Sequence, residues 1–374
     1  MTTILVLGAG ASQPASYPTA EELLPRIKLE ASSSCSVQFR KAWIHWKEFL
    51  RTLPPALEVV RSCANPEIIL SFVDLLAAAA ESEDEFRTRR ALKRFVETGE
   101  SAHEELEAYF ASEGRDLLSQ ARTAQARLLE CLDWFFGLRH AEDRRKPGAA
   151  RDYLRKIFAG LAKGDAIITF NWDTLAERTL AEDGRWSPAE GYSFPRRLSQ
   201  NRGYGQFLPI PEGQLKPSDV VVLKLHGSYG WHRLNNTFFL DSANYLAGFT
   251  LYLGSQLVLL RDDAEPASYL PSDLVLAYPS FLKPLADPVL EEVWMEAVNY
   301  LRRAALVEII GYSLPSSDAA ARVLFAPLAR RLRAGEVRVV VRDPSRQTLS
   351  RWKTFLGSKA ELREESLQQS GCSA

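Results

Sequence analysis

The chain has 374 residues, of which 46% are hydrophobic and 25% charged, and its formal net charge at pH 7 is -1. This is an ordinary globular composition with enough apolar material for a large core, and the length suggests several domains or one domain with a large insertion. The near-neutral charge argues against a strongly basic nucleic-acid-binding protein, so we expect no direct binding to nucleic acid.

The N-terminal residues and the spacing of the cysteines indicate the cellular compartment. The start, MTTILVLGAG, has no basic region and too short an apolar run for a signal peptide. No window reaches the ~18 uninterrupted apolar residues of a transmembrane helix, and the longest candidate, at 246–260, is predicted to be a buried helix. The cysteines have no CxxC spacing, which predicts reduced thiols in a cytoplasm and argues against a structural zinc site. They are Cys35, Cys63, Cys131 and Cys372.

The first third of the chain combines one strand with a helical region. ILVLG at 4–8 is nearly all apolar, as in a strand that is covered on both faces. A helix is predicted to begin near 19–27. From about residue 38 to residue 162 there is almost no strand signal, whereas 65–80 and 121–138 carry apolar residues at helical spacing. This pattern predicts a helical subdomain inserted between the first and second strands of an α/β sheet.

Strand-like apolar runs return in the second half of the chain. They are AIITF (166–170), VVVLKL (220–225), LVLAY (274–278), ALVEIIG (305–311) and VRVVV (337–341). Helical stretches separate several of them, and this alternation predicts a parallel sheet with helices on both faces. The segment 184–219, rich in Pro, Gly and Arg, is predicted to be a long irregular loop of the kind that often covers a site.

The predicted fold class is therefore α/β, a doubly wound Rossmann-like parallel sheet with a helical subdomain inserted after the first strand. Residues 1–30 and 164–358 are predicted to form the Rossmann-type nucleotide-binding domain. Residues 31–163 are predicted to form the inserted helical subdomain, and residues 359–374 a flexible C-terminal tail.

Four of the predicted strands end in glycine or polar residues. In a doubly wound sheet, ligands bind outside the carboxyl ends of the strands, so we expect these four ends to face one crevice. Their convergence is stronger evidence for a site than any one motif. The four segments are GAGAS (8–12), NWD (171–173), HGS (226–228) and GYSLPSSD (311–318).

GAGAS is typical of a turn that approaches a phosphate. Gly8 and Gly10 allow a tight turn close to a pyrophosphate, whose negative charge favours the backbone amides that follow. The match to G-x-G-x-x-G is incomplete, and no strand ending in an acidic residue follows within ~20 residues. An ordinary strand–helix turn therefore remains an alternative, and the pattern weakens a dehydrogenase interpretation.

Asn171 and His226 each have an ordinary alternative role. Asn171, or Asp173 after it, could cap the helix that follows, and His226 could be a core histidine bonded to backbone. Because both residues follow apolar strands beside a glycine turn, the pair favours a functional site. Trp231 and His232 are predicted to be packing or hairpin residues.

The last two strands also end in candidate ligand-binding residues. Gly311 allows the backbone to approach a ligand closely, and the hydroxyls and Asp318 that follow suit a phosphate or a ribose. Asp318 could equally cap the helix that begins after it. Asp343, at the end of the last predicted strand, could bind an adenosine or simply form a turn.

Taken in this order, GAGAS, TFNWDT, KLHGS and GYSLPSSD resemble the motifs of the bacterial sirtuin-like domains that hydrolyse NAD in antiphage defence. The resemblance implies that NAD is the substrate and lies between a Rossmann-like domain and a helical module. It implies that Asn171 and His226 are the catalytic residues. It further implies nucleotide contacts from Gly8, Ala9, Gly10, Ala11, Ser12, Thr19, Gly311, Tyr312, Ser313 and Asp318. The mechanism of cleavage adds Asp173, which would hold the ribose or fix a neighbouring side chain, and the strand-end argument adds Asp343.

This sequence differs from the protein-deacylating sirtuins, and the difference limits the activity that we expect. Protein-deacylating sirtuins carry a four-cysteine zinc module that this sequence lacks, so we expect NAD glycohydrolase activity without a metal and not deacylation. The resemblance also implies a cytoplasmic effector of abortive infection, controlled by a short prokaryotic Argonaute, by a HerA-type ATPase or by homo-oligomerisation. The alternatives are a non-catalytic module that binds NAD or ADP-ribose and signals by assembly, and a nicotinamide dehydrogenase.

Overall fold

A computed structural model gives the fold. No helix among the described residues is long and apolar enough to cross a membrane. The segment 246–260 and most of 65–80 lie outside the described residues. The structure describes residues 2–34, 36–53, 57, 60, 72–73, 100–145, 149–188, 190–193, 197–201, 207–209, 218–234, 237–241, 274–276, 287–315 and 318–365.

Strands and helices alternate from Pro288 to Arg363, whereas the described elements from Arg197 to Leu276 are all strands. The strands are β1 (Thr2–Leu7), β2 (Ala166–Thr169), β3 (Arg197–Asn201), β4 (Phe207–Pro209), β5 (Val221–Lys224), β6 (Gly227–Leu234), β7 (Thr237–Asp241), β8 (Leu274–Leu276), β9 (Ala304–Ile310), β10 (Arg338–Arg342) and β11 (Glu361–Arg363). The helices are α1 (Leu23–Ser33), α2 (Val37–Thr52), α3 (Glu100–Arg145), α4 (Ala149–Phe158), α5 (Leu175–Glu182), α6 (Pro288–Arg303), α7 (Ala319–Ala334) and α8 (Arg346–Leu356).

Six strands form a parallel sheet in the order β11-β10-β9-β1-β2-β5. From β1 the chain proceeds outward to β2 and β5, then returns to build β9, β10 and β11 on the other side of β1. The strand order therefore reverses between β1 and β9, as it does in doubly wound nucleotide-binding sheets. The predicted fold class is confirmed. All four residues of β2 are buried, as expected for a central strand made of three apolar residues and a threonine.

A second core lies between α1, α2 and α3, and this arrangement confirms the helical insertion after β1. The insertion has different limits from those predicted. Helix α1 crosses the predicted boundary at residues 30 and 31. At the other end, Leu154 and Phe158 of α4 belong to the core of the parallel sheet rather than to the helical core.

Five strands form a separate mixed sheet in the order β4-β3-β7-β6-β8. Two predictions are wrong here. The segment 184–219 contains β3 and β4, and LVLAY supplies β8, which pairs antiparallel with β6 instead of joining the parallel sheet. A short apolar run has the same pattern in either sheet, so periodicity could not identify its partner. Trp231 is fully buried in β6, and His232 pairs with Phe239 in the β6–β7 hairpin, as expected.

The C-terminal segment was predicted to be flexible from residue 359, and this is wrong for Glu361–Arg363. These residues form β11, whose Leu362 pairs with Val341 of β10. Arg338 and Glu361 add an ion pair at 2.6 Å. Alternating charges around a single leucine give no apolar run, so the sequence pattern did not reveal this strand.

We expect a chain that ends at Ser358 to unfold at a lower temperature than a chain that ends at Glu365. Loss of β11 removes the backbone partner of β10 and exposes its edge, at an expected cost of about 1–3 kcal/mol. Circular dichroism during heating measures the difference. Equal unfolding temperatures would show that β11 contributes nothing to the sheet.

Candidate functional site

The loops that follow β1 and β9 cross in direct backbone contact. The Gly8 N–H donates to the Ile310 carbonyl, and the Gly10 N–H donates to the Gly311 carbonyl, each at 3.0 Å. A Cβ on Gly8 would lie 2.4 Å from the Gly311 oxygen, and a Cβ on Gly311 would lie 2.5 Å from the Ala11 nitrogen. Gly311 also has a φ of 64°. Both positions require glycine because the two backbones touch at the point where the strand order reverses.

The backbone N–H groups of GAGAS have hydrogen-bond partners that the sequence did not predict. Besides Gly8 and Gly10, the Ala11 N–H donates to the Gly8 carbonyl and the Ser12 N–H donates to the Ala9 carbonyl. These bonds close a 3₁₀ turn, and the first α-helix begins only at Leu23. Four of the five GAGAS amides, those of Gly8, Gly10, Ala11 and Ser12, therefore have protein acceptors, because the turn folds back on itself and on the second glycine loop. Nucleotide contact by Gly8–Ser12 stays a prediction.

Asn171 lies at the carboxyl end of β2, beside the first glycine loop. Its Nδ2 donates to the Gly8 carbonyl at 2.9 Å and to the Ser12 hydroxyl at 3.0 Å. Because the Gly8 carbonyl can only accept, the amide nitrogen must face it. The Asn171 Oδ1 is buried, and none of the described residues donates a hydrogen bond to it. An unsatisfied buried acceptor costs about 1–3 kcal/mol, so this oxygen is suited to a water or a ligand hydroxyl.

Asn171 does not cap the next helix. The N-cap position of α5 is Thr174. Asp173, one residue before it, accepts the N–H of Leu175, the first residue of the helix, at 2.9 Å through its Oδ1. Asp173 therefore supports the start of α5 without being its N-cap, and the Asn171 side chain faces the glycine loop instead.

His226 lies next to Asn171 along the same edge of the sheet. Strands β2 and β5 pair in register with Thr169 opposite Lys224, and the Leu225 N–H continues the ladder by donating to the Thr169 carbonyl at 2.9 Å. Continued two residues past the strand ends, this register sets Asn171 level with His226. The imidazole meets the ring of Phe170 edge-on at 5.1 Å, and the histidine is 7% exposed. The Asn171 amide and the His226 imidazole thus both lie at the carboxyl edge of the sheet, and His226 contacts Phe170, the residue before Asn171.

The second glycine loop brings a carboxylate to the histidine. His226 Nε2 lies 3.5 Å from Asp318 Oδ2, and the Tyr312 hydroxyl donates to the same oxygen at 2.6 Å. Asp318 Oδ1 accepts the Ala321 N–H at 3.0 Å, which confirms that Asp318 caps α7. Ser313 lies half-buried between Tyr312 and Asp318 in chain order.

Two other predicted site residues have local structural roles. The Thr19 N–H donates to Glu22 Oε2 at 3.0 Å. Asp343 Oδ1 accepts the Ser345 N–H at 2.8 Å at the end of β10, which is the turn role that the sequence left open. Burial raises the pKa of Asp343 above its usual value. Contacts from Thr19, Asp173 and Asp343 to a nucleotide stay predictions.

A buried ion pair beneath the site was missed by the sequence analysis. Lys224 Nζ lies 3.0 Å from Glu177 Oε1, and both side chains are fully buried. The Tyr192 hydroxyl donates to the same carboxylate oxygen at 3.0 Å, and Lys224 Nζ donates to the Asp173 carbonyl at 2.5 Å. The lysine therefore ties the end of β5 to the turn after β2. In the sequence, the only sign of this ion pair is a lysine within the apolar run VVVLKL, because its partner Glu177 lies far away along the chain.

Metal-binding side chains are not grouped in the described part of the chain, where no cluster of three or more His, Cys, Asp or Glu residues could hold an ion. Cys131 is the cysteine that the structure describes, and it is buried in the helical core. Burial raises the pKa of its thiol.

Solved structures to which this chain is similar include one with a weak overall likeness. A crystal structure of Sir2 in complex with an inhibitor, 2'-O-acetyl-ADP-ribose and a deacetylated peptide aligns with 99% of this chain and 90% of that one. The identity is 14% and the TM-score is 0.35. No model of a protein family and no curated protein matches this chain. So weak a likeness supports no inference about function, and the fold class follows from the sheet order itself.

We expect Gly311→Ala to lower the free energy of unfolding by more than Gly335→Ala does. Both glycines have positive φ, at 64° and 78°, so both substitutions carry about 1–2 kcal/mol of backbone strain. Only at Gly311 would the new Cβ meet backbone, whereas nothing lies within 4 Å at Gly335. Urea denaturation of the two variants isolates the cost of the loop crossing. Equal losses would mean that the two loops do not cross so closely.

We expect Lys224→Met to destabilise the protein by about 3–5 kcal/mol, because Glu177 would remain buried without its cation. Combining it with Glu177→Gln should recover part of this loss, since glutamine still accepts from Tyr192 without a net charge. A denaturation double-mutant cycle measures the coupling. Strictly additive losses would argue against a direct interaction between the two side chains.

Proposed function

We propose that this chain is an NAD glycohydrolase, which cleaves the nicotinamide–ribose bond with water and yields nicotinamide and ADP-ribose. The observation that carries the proposal is the Asn171 side chain at the reversal point of a doubly wound sheet. Its nitrogen donates to the Gly8 carbonyl and the Ser12 hydroxyl, and none of the described residues donates a hydrogen bond to its buried oxygen. The resemblance of the four motifs to sirtuin-like NAD hydrolases supports the same conclusion.

This pair of side chains suits the chemistry of the bond. The nicotinamide of NAD is a cationic pyridinium that leaves as a neutral molecule, so cleavage requires no proton donor. Positive charge develops on the ribose, as in glycoside hydrolysis, and a hydrogen-bond acceptor near the sugar stabilises that state. Asn171 Oδ1 is such an acceptor, for a ribose hydroxyl or for the attacking water.

His226 supplies the base in this proposal. The C1′–N bond breaks with its electron pair going to nicotinamide, and the C1′–O bond forms with water. The proton that the water loses passes to the imidazole and then to solvent. An imidazole with a reference pKa of ~6.5 is suited to this transfer near neutral pH.

The dinucleotide is proposed to lie across the carboxyl edge of the sheet, where the two glycine loops cross. Ligands of doubly wound sheets bind at such reversal points, which supports this placement. The proposed contacts come from Gly8, Ala9, Gly10, Ala11, Ser12, Thr19, Asp173, Gly311, Tyr312, Ser313 and Asp343.

The biological setting is proposed on the motif resemblance alone. Depletion of NAD harms the cell that performs it, so the activity is expected to be restrained until a trigger arrives. We propose a cytoplasmic antiphage effector of abortive infection, held in check by a short Argonaute, a HerA-type ATPase or its own oligomeric state. Deacylation is not proposed, since the sequence lacks the cysteines of the deacylase zinc module.

We expect Asn171→Ala and His226→Ala each to reduce nicotinamide release from NAD by about 100-fold or more, with the fold retained. Asn299→Ala and His45→Ala are matched controls, because both residues are exposed and lie on α6 and α2, outside the loops that form the proposed site. Purified chains are incubated with NAD, alone and with the products of neighbouring genes. Chromatography then quantifies nicotinamide and ADP-ribose.

Wild-type turnover by both site variants would overturn the assignment of these residues. Saturable NAD binding with no nicotinamide released under any condition would favour the non-catalytic signalling module. An increase in absorbance of the reduced cofactor would instead indicate a dehydrogenase.

A further inference from the structure

We propose that Asp318 is a positioning residue that orients His226 and stabilises its protonated form, and is not a ribose ligand. The part played in proton transfer rests on the proposed hydrolase function. The pairing of carboxylate and imidazole can be tested without it.

Both carboxylate oxygens of Asp318 already face protein groups. Oδ1 accepts the Ala321 N–H at 3.0 Å, while Oδ2 accepts the Tyr312 hydroxyl at 2.6 Å and lies 3.5 Å from His226 Nε2. The residue is 2% exposed. A ribose hydroxyl would have to displace one of these groups, so the geometry assigns the carboxylate to the histidine.

The carboxylate is held rigidly in this orientation. It sits at the N-terminus of α7, where backbone amides and the helix dipole favour a negative charge. The Tyr312 ring stacks on Phe170 with centroids 3.9 Å apart, and the Tyr312 carbonyl accepts the Trp352 Nε1–H at 2.8 Å. The tyrosine that contacts the carboxylate is therefore itself fixed by the core.

The histidine is oriented by the same group of rings. The Phe170 ring makes a T-shaped contact with the imidazole and stacks on the Tyr312 ring. The neutral tautomer that carries its proton on Nε2, towards Asp318, has its lone pair on Nδ1, and in this proposal Nδ1 takes the proton from water.

The distance of 3.5 Å fits a contact that strengthens during the reaction. It is longer than an ordinary N–H···O hydrogen bond, so the neutral imidazole gains little from Asp318. Once His226 is protonated, the same contact becomes an ion pair. An interaction that is stronger in the charged state lowers the barrier rather than only tightening substrate binding. Lys224, at the end of β5, is paired with Glu177. Tyr312 is a titratable group that contacts Asp318 directly.

The kinetic test compares Asp318→Asn with Asp287→Asn. Asp287 is also an aspartate helix cap, at the start of α6, and asparagine caps helices well, so both variants should fold. We expect Asp318→Asn to reduce kcat for nicotinamide release by about 100-fold with little change in KM, and Asp287→Asn to change neither. A raised KM with unchanged kcat would overturn the proposal and indicate a ribose ligand. Asp318→Ser, a second uncharged cap, should reproduce the loss in kcat.

The second test measures the pKa of His226 directly. Carbon-13-labelled histidine is titrated by NMR, and the His226 signal is identified by its absence in His226→Ala. We expect Asp318→Asn to lower the pKa of His226 by about one unit or more, because the imidazolium loses its counter-charge, while Asp287→Asn leaves it unchanged. An unchanged pKa in Asp318→Asn would overturn the pairing. A lowered pKa in a chain that never releases nicotinamide would uphold the pairing and refute the hydrolase function.

Discussion

The contact between the two glycine loops is the constraint on which the site depends. Gly8 and Gly311 approach so closely that neither position has room for a side chain. This crossing brings the Gly8 carbonyl to the Asn171 amide, and it carries the chain after β9 over the end of β2, where Tyr312 stacks on Phe170. The amide, the imidazole and the carboxylate are thus placed by backbone geometry, and side-chain packing then fixes their orientation.

Buried charges hold this edge of the sheet to the elements behind it. Lys224 joins the end of β5 to α5 and to the turn after β2. On the helical side, Arg178 of α5 donates to the Tyr17 hydroxyl at 3.3 Å and pairs with Asp143 of α3 at 2.7 Å. Burial raises the pKa of Tyr17, so the phenol stays neutral within the cluster. These buried contacts between α3 and α5 are costly to break. A displacement of α3 would therefore also displace α5 and the turn before it, which carries Asn171.

The sequence predicted the parallel sheet and the four polar strand ends because apolar strands and glycine turns have local patterns. Its account of GAGAS was incomplete, since only the folded chain shows that the Ala11 and Ser12 amides bond within the turn. Asp318 fitted a cap, a ribose ligand or a phosphate ligand equally well, and the histidine that it faces is distant along the chain. The partner of Lys224 and the strand β11 were missed for the same reason, because long-range contacts determine them.

The structure of the Asn171→Ala chain with bound, intact NAD would test the central claim most directly. We expect the nicotinamide ribose at the edge between residue 171 and His226, with the pyrophosphate over the crossing of the two glycine loops. NAD bound against the second sheet, or with its adenosine end at His226, would contradict the account.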